Sequence, residues 1–406
     1  MITSGDALKS LAREAALLPQ EEMLEIGRKK QSLYIGIPRE VEFQEHRVAL
    51  VPEAVSLLVS NGHRVIVETN AGSQAFFSDR DYSEAGAEIG YSLEKVYEAD
   101  IILKIAPPNK KEISLMKHKQ TLFSALQLSV QPADTLRELM QKKITAIAWD
   151  YIKDDHGVYP IIRSMGEIAG YASVLIAAET LSNINKGKGL ILGGIAGVAP
   201  TEVIIIGAGT VGTFAAKNAL ALGASVKVFD NSVAKLRRLQ SELGQRIYTS
   251  VIQPKVLLKN LKRADVVIGA LRAPHGRTPC VVSEEMVEQM KVGAVIVDIS
   301  VDQGGCFETS RVTTHERPTF EKHGVIHYCV PNVASRVSRT ASFALSNIFA
   351  PLILDIANGG GCEKLIRTQT GFRHGVYIYN GTLTSSFLGE SFNLPYKDLD
   401  LLITAF

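Results

Sequence analysis

Two mainly parallel α/β units joined by long helices, the first unit interrupted by the second, are what this 406-residue sequence predicts. Short apolar runs alternate with helical stretches of about 10–15 residues, the pattern of βαβ units. Two long helical stretches, 165–184 and 338–357, break the alternation. Between them a glycine-rich connector, 187–200, leads into a second series of apolar runs.

The elements follow in order. Tyr34–Ile37 reads as a short buried strand, and Pro52–Ser60 as a helix whose proline takes the first turn, where a missing N–H costs little. Strands are expected at 63–69, 101–105, 121–126 and 145–152. The second series places strands at 203–206, Ser225–Phe229, 266–270, 294–299 and 325–330, and the polar tail carries one more at 375–379. The expected division is therefore 33–160 plus 339–406 for one unit and 161–338 for the other, with the site in the crevice between them. Residues 1–32 form a helical N-terminal extension, in which Leu8, Leu11, Ala15 and Leu18 recur near helical spacing. No internal repeat is present.

Composition narrows the function. Hydrophobic residues make up 46% and charged residues 21%, a globular balance, and the net charge of +2 argues against a nucleic-acid partner. No apolar run reaches the roughly 18 residues of a membrane span, and no signal-peptide core precedes the body. Cys280, Cys306, Cys329 and Cys362 show neither CxxC pairing nor zinc spacing, so they read as reduced thiols of a cytoplasmic protein. His118, His156, His275, His315, His323, His327 and His374 show no metal-ligand spacing, and no metal is expected.

The strongest motif is Gly207-Ala208-Gly209-Thr210-Val211-Gly212, which follows the apolar run Thr201–Ile206 and opens an alanine-rich helix. The three glycines permit a tight turn, close approach of a diphosphate, and close packing of helix on strand. The next strand ends at Asp230, about 20 residues beyond Gly209, where a carboxylate accepts hydrogen bonds from a ribose and repels a 2′-phosphate. This constellation predicts a Rossmann-type domain that binds NAD rather than NADP. Lys235, Arg237 and Arg238 lie just downstream. Leu271, Ile299 and Asp302 follow strand ends on the ligand side, and Asn332 and Val333 complete the expected cofactor contacts.

Further runs carry a resemblance. Gly36-Ile37-Pro38-Arg39-Glu40, Glu45-His46-Arg47-Val48-Ala49-Leu50-Val51-Pro52, Gly193-Gly194-Ile195-Ala196-Gly197-Val198 and Val301-Asp302-Gln303-Gly304-Gly305-Cys306-Phe307-Glu308 are similar to segments of the alanine dehydrogenase and transhydrogenase nucleotide-binding subunit family. With Pro318-Thr319-Phe320 downstream, the alanine dehydrogenase branch is the nearer one. The resemblance implies two Rossmann-like domains, the first discontinuous, and a homo-oligomer, commonly a hexamer. It also implies reversible oxidative deamination of L-alanine or a related amino acid to the 2-oxo acid.

Four side chains serve that chemistry in the family. Arg47 matches the arginine that grips the substrate carboxylate, and Asp302 the aspartate beside the nicotinamide. The family lysine position is Ala106, and the family histidine position is Gln127. Alanine offers no charge, and glutamine carries no proton near neutral pH. Two replacements are in reach: Lys104, two residues before Ala106 and so on the same face of a strand, about 7 Å away, and His46 beside Arg47. Two alternatives stay open: a catalytically quiet NAD-binding or regulatory member, and the soluble NAD-binding subunit of a proton-translocating transhydrogenase.

Overall fold

The structure, a computed structural model, describes residues 32–42, 44–126, 133–273 and 277–404. The expected N-terminal helix and Gln127 lie outside these residues.

Eight strands make the first sheet: β1 (Tyr34–Ile37), β2 (Arg64–Glu68), β3 (Glu88–Gly90), β4 (Ile101–Leu103), β5 (Thr121–Ser124), β6 (Thr145–Ala148), β14 (Val376–Tyr379) and β15 (Thr382–Leu383), in the order β15-β14-β6-β5-β4-β1-β2-β3. The first six pair in parallel, while β14 runs antiparallel to β6. The second sheet holds β7 (Glu202–Ile206), β8 (Ser225–Phe229), β9 (Tyr248–Ser250), β10 (Val266–Gly269), β11 (Val295–Asp298), β12 (Thr319–Lys322) and β13 (Val325–Tyr328), in the order β12-β13-β11-β10-β7-β8-β9. Both are doubly wound. In each, the chain leaves a central strand to one side and returns to build the other, so a crevice opens at the strand C-termini. The fold class read from the sequence is the one observed.

Two helices of 22 residues, Pro160–Leu181 and Ser338–Gly359, join these layers. The first sets Ala172, Ile176 and Ala177 in one core with Val203, Ile205 and Ile268 of the second sheet. The second sets Ala341, Leu345, Phe349 and Ile353 in one core with Ile35, Leu103 and Ile147 of the first. Burial of the valine, leucine, isoleucine and phenylalanine side chains among these contributes about 1.5–3 kcal/mol each. The segments Pro160–Leu181 and Val333–Gly359 reach the length and mean hydropathy of a membrane span, 1.3 and 1.5, although polar residues interrupt their apolar runs. About half of each is buried inside the protein, at 56% and 50%, as in core helices.

Most differences from the sequence reading are at element ends. The expected strand 145–152 stops at Ala148 and becomes a 3-10 turn over Trp149–Tyr151. The strand expected at 101–105 stops at Leu103, and the chain bends at residues 105 and 106. The edge strands β3, β9, β12 and β15 are too short and too polar for apolar alternation to reveal.

The glycine loop follows β7 closely. Gly207 has φ +118°, and a Cβ there would lie 2.4 Å from the Ala270 carbonyl oxygen. A Cβ on Gly212 would lie 1.8 Å from the Gly207 oxygen, whereas one on Gly209 meets nothing within 4 Å. The expected outcome for Gly212→Ala is a loss of about 3 kcal/mol or more in thermal unfolding, because backbone cannot yield. Gly209→Ala is expected to cost under about 1 kcal/mol in the same measurement.

Candidate functional site

The segment carrying Arg47 has no regular structure of its own and is held by hydroxyls. Ser335, Ser342 and Ser346 accept the backbone N–H groups of His46, Val48 and Val51 at 2.8, 3.0 and 2.8 Å. Ser342 and Ser346 sit one helical turn apart, so a single face of helix Ser338–Gly359 registers the segment.

Arg47 is buried, at 5% exposure, and its guanidinium is already engaged. Nε and Nη2 donate to the two Glu45 oxygens at 2.8 and 2.7 Å, a bidentate pair. Nη2 also donates to Asn332 Oδ1 at 2.5 Å, and Nη1 lies 3.2 Å from Met165 Sδ. The Asn332 amide in turn donates to Glu45. Burial would raise the Glu45 carboxyl, yet the charge and hydrogen bonds of Arg47 hold it below its ordinary range.

Asn332 adopts φ +59°, a left-handed conformation that asparagine tolerates, and its backbone N–H donates to Asp302 Oδ1 at 2.9 Å. Asp302 lies in the 3-10 turn Ile299–Gln303 after β11. Asp298, at the end of that strand, caps the turn by accepting from Ser300 N at 3.0 Å, and also accepts from Ser310 Oγ at 2.6 Å. Asp302 is exposed as a residue, yet protein crowds its carboxyl group. That enclosure pushes its carboxyl up to about 6, against the pull of the Asn332 N–H and the Arg47 charge. The turn thus presents an acid that exchanges protons near neutrality, coupled to a buried guanidinium from the other sheet.

On the nucleotide side, Gly209 precedes the helix Thr210–Ala221, whose first N–H groups have no partner within the helix. Asp230 stands at the end of β8, buried, accepting from Ala208 N at 2.8 Å and Ser232 N at 2.7 Å. Each of its oxygens keeps a second lone pair for a ribose hydroxyl. Lys235 is exposed, Leu271 and Ile299 are half-buried, and Val333 is buried. Arg238, rather than Arg237, reaches the phosphate loop, with Nη2 at 3.5 Å from Ala208 O. The open space at Gly209 and the carboxylate at β8 fit a dinucleotide.

Ala106 is wholly buried, and its N–H donates to Glu40 Oε2 at 3.3 Å while Ile105 N donates to Oε1 at 2.5 Å. Burial pushes the Glu40 carboxyl up to about 7 despite nearby Lys104. Lys104 does not share a strand face with Ala106, since β4 ends before either residue. Its ammonium is buried 2.8 and 2.9 Å from the Glu112 oxygens and 3.6 Å from Glu40. Burial alone would discharge it, and the two carboxylates more than offset that. His46 is half-buried on the wall of a 170 Å³ pocket that also includes Glu40, Glu45, Asn70 and Gln74.

Sequence reasoning passed over Glu40, Glu45, Asp150 and Arg272. The first two were visible beside Arg47 in quoted motifs, but nothing local marks a carboxylate as an arginine's partner. Glu284, Glu288 and His323 bring ligand atoms within 4.8 Å of one another, a cluster unseen in the histidine spacing. Lys322 lies 2.7 Å from Glu284 there and supplies a cation.

Residues 36–169 match the family model for the N-terminal domain of alanine dehydrogenase/PNT, and residues 173–386 the model for its C-terminal domain. Over 367 residues the chain is 41% identical to alanine dehydrogenase 2 of Staphylococcus aureus (strain Mu50 / ATCC 700699), covering 90% of this chain and 98% of that protein. A solved L-alanine dehydrogenase superposes with a TM-score of 0.83 at 38% identity, over 88% of this chain and 99% of that one. A transhydrogenase from Sinorhizobium meliloti shares the fold, with a TM-score of 0.74 at 24% identity over 87% and 99% of the chains.

Two outcomes are expected of these side chains. Lys104→Met leaves two buried carboxylates without their cation and should cost about 3–5 kcal/mol in chemical denaturation. Asp302 binds its proton more tightly folded than unfolded, so wild-type stability falls as pH rises from about 4 through about 6. Asp302→Asn removes that effect, and its melting temperature should exceed that of wild type above pH 6, with the gain vanishing near pH 4.

Proposed function

The chain belongs to the alanine dehydrogenase/PNT family of oxidoreductases, and on that premise we propose that it is an NAD-dependent dehydrogenase of L-alanine or a related amino acid, yielding the 2-oxo acid. The observation that carries the reading is the placement of Asp302, in the turn after a strand end of the nucleotide-binding sheet and bonded to the residue that also contacts Arg47.

The residues divide the work. The N–H groups opening the helix Thr210–Ala221 face the diphosphate, and Asp230 with Lys235 takes the adenosine ribose. Leu271, Ile299, Asn332 and Val333 border the nicotinamide ribose. When bound, the dinucleotide accepts hydride from the amino-acid Cα. Arg47 orients the substrate carboxylate through Nη1, the arm not engaged by Glu45. Asp302 takes and returns a proton at the amino nitrogen and at the water that replaces it. His46 and Glu40 face the same pocket and offer further proton carriers, where the family histidine position is Gln127.

One observation favours a second reading. Ala106 brings no cation to the pocket, and the nearest lysine is fixed between Glu112 and Glu40. A protein that binds NAD and turns nothing over has this feature too.

NADH titration and NADH formation with a panel of small L-amino acids separate the two. The first reading expects turnover that Asp302→Asn lowers by about 10²–10⁴-fold, with NADH affinity kept within a few-fold. It also expects weaker NADH binding in Gly209→Ala. Binding without turnover on any amino acid leaves the second reading, and no binding of NADH ends both.

A further inference from the structure

The segment that carries Arg47 follows β1, and two loops of the second sheet clamp it. His46 of this segment faces His315 of the loop before β12, with ring centroids 5.9 Å apart and planes tilted by 30°. The His315 backbone N–H donates to Gln44 Oε1 at 2.7 Å. Ser335, in the 3-10 turn Val333–Val337 after β13, accepts from His46 N at 2.8 Å and donates to Gln44 O at 3.2 Å. Gln44 takes φ +50°, a left-handed backbone that a glutamine keeps only where its surroundings hold it. A direct ring contact and three hydrogen bonds thus tie Gln44 and His46 to the opposite sheet, next to the buried guanidinium.

This arrangement accepts a neutral His315 and opposes a charged one. Its Nε2 is buried and, among the described residues, has no hydrogen-bond partner. A neutral ring leaves a lone pair there at small cost, whereas an imidazolium is a donor at both nitrogens and needs acceptors. The surrounding charges act the same way. Arg47 and Arg336 are cations, and the carboxylate that opposes them, Glu45, is held by Arg47 at 2.7 Å. Burial first, then the His46 ring and the two arginines, hold His315 below the ordinary imidazole value of 6.5 against the pull of Glu45. His46 shares the wall of the 170 Å³ pocket with Arg39, Glu40 and Glu45. The charged side chains of the His315 loop itself, Arg311, Glu316 and Arg317, belong to exposed residues.

We infer that the His46–His315 contact is an acid-released latch between the two sheets: a proton on His315 parts the rings and frees the segment that positions Arg47. The latch is a property of the fold and holds whatever substrate the chain turns over. His315 binds its proton more weakly latched than released, so latching is favoured above pH 6.5 and is lost as pH falls below it. Asp302 and Glu40 act in the opposite sense, because burial raises both carboxyls and their protons bind more tightly in the folded protein. Glu45, held below its ordinary range, stays ionised through the same interval. A release in mild acid is therefore the work of the imidazoles and not of these carboxyls.

The test is backbone hydrogen exchange of the full-length protein at about pH 7.5 and about pH 5.5, corrected for the intrinsic rate and read on peptides that span His46 and His315. A group that regains its ordinary value on release favours release by up to about tenfold one unit below that value. Wild type is expected to lose about three- to tenfold of its protection in both peptides between the two conditions. His315→Asn and His315→Gln carry no titrating proton and should keep the same protection at both. Ser335→Ala, which removes an acceptor without touching the rings, should lower protection equally at both. Wild-type protection that is the same at both conditions overturns the latch. So does an acid loss that persists in His315→Asn and His315→Gln, which would give the effect to another group.

Discussion

A buried guanidinium cannot stand alone, and the Arg47 site is organised by that constraint. Taking the charge out of water costs several kcal/mol, offset only when its fork is filled. Glu45 fills it from two residues away, and Asn332 fills it from the other sheet. The Asn332 backbone then fixes Asp302. One ion pair thereby sets the distance between a cation of the first sheet and an acid of the second. The serine hydroxyls of two neighbouring elements keep the arginine's own segment in register.

The sheets and the dinucleotide loop were legible because their signals are local. Apolar periodicity reports burial, and the Gly207–Gly212 spacing reports a turn that only glycine makes. Helix Pro52–Ser60 begins and ends where its proline and polar flank say it should. Partnerships across the chain were not legible. Nothing near Lys104 in sequence says that Glu112, one loop later, will take its ammonium. The face argument for Lys104 and Ala106 assumed a strand that stops at Leu103, and no propensity marks that stop. Asn332 was placed at the cofactor by position, while its contact with Arg47 required the fold.

The pocket beside Arg47 is unusual in its balance of charge. Glu40 and Glu45 line it, Arg47 pairs with Glu45, Lys104 lies between Glu40 and Glu112, and burial pushes the Glu40 carboxyl up to about 7. Arg272, beyond β10, acts by its charge on both Asp150 and Asp302.

The antiparallel pairing of β14 with β6 has a consequence for biogenesis. During synthesis from the amino end, β6 emerges long before its neighbour, and the whole second sheet is made in between. Until residue 376 leaves the ribosome, the β6 edge of the first sheet lacks the strand that pairs with it. An open edge of this kind invites pairing with another nascent chain. Chaperone dependence, or a premature stop shortly before Val376, would bear on aggregation in the cell long before it bears on chemistry.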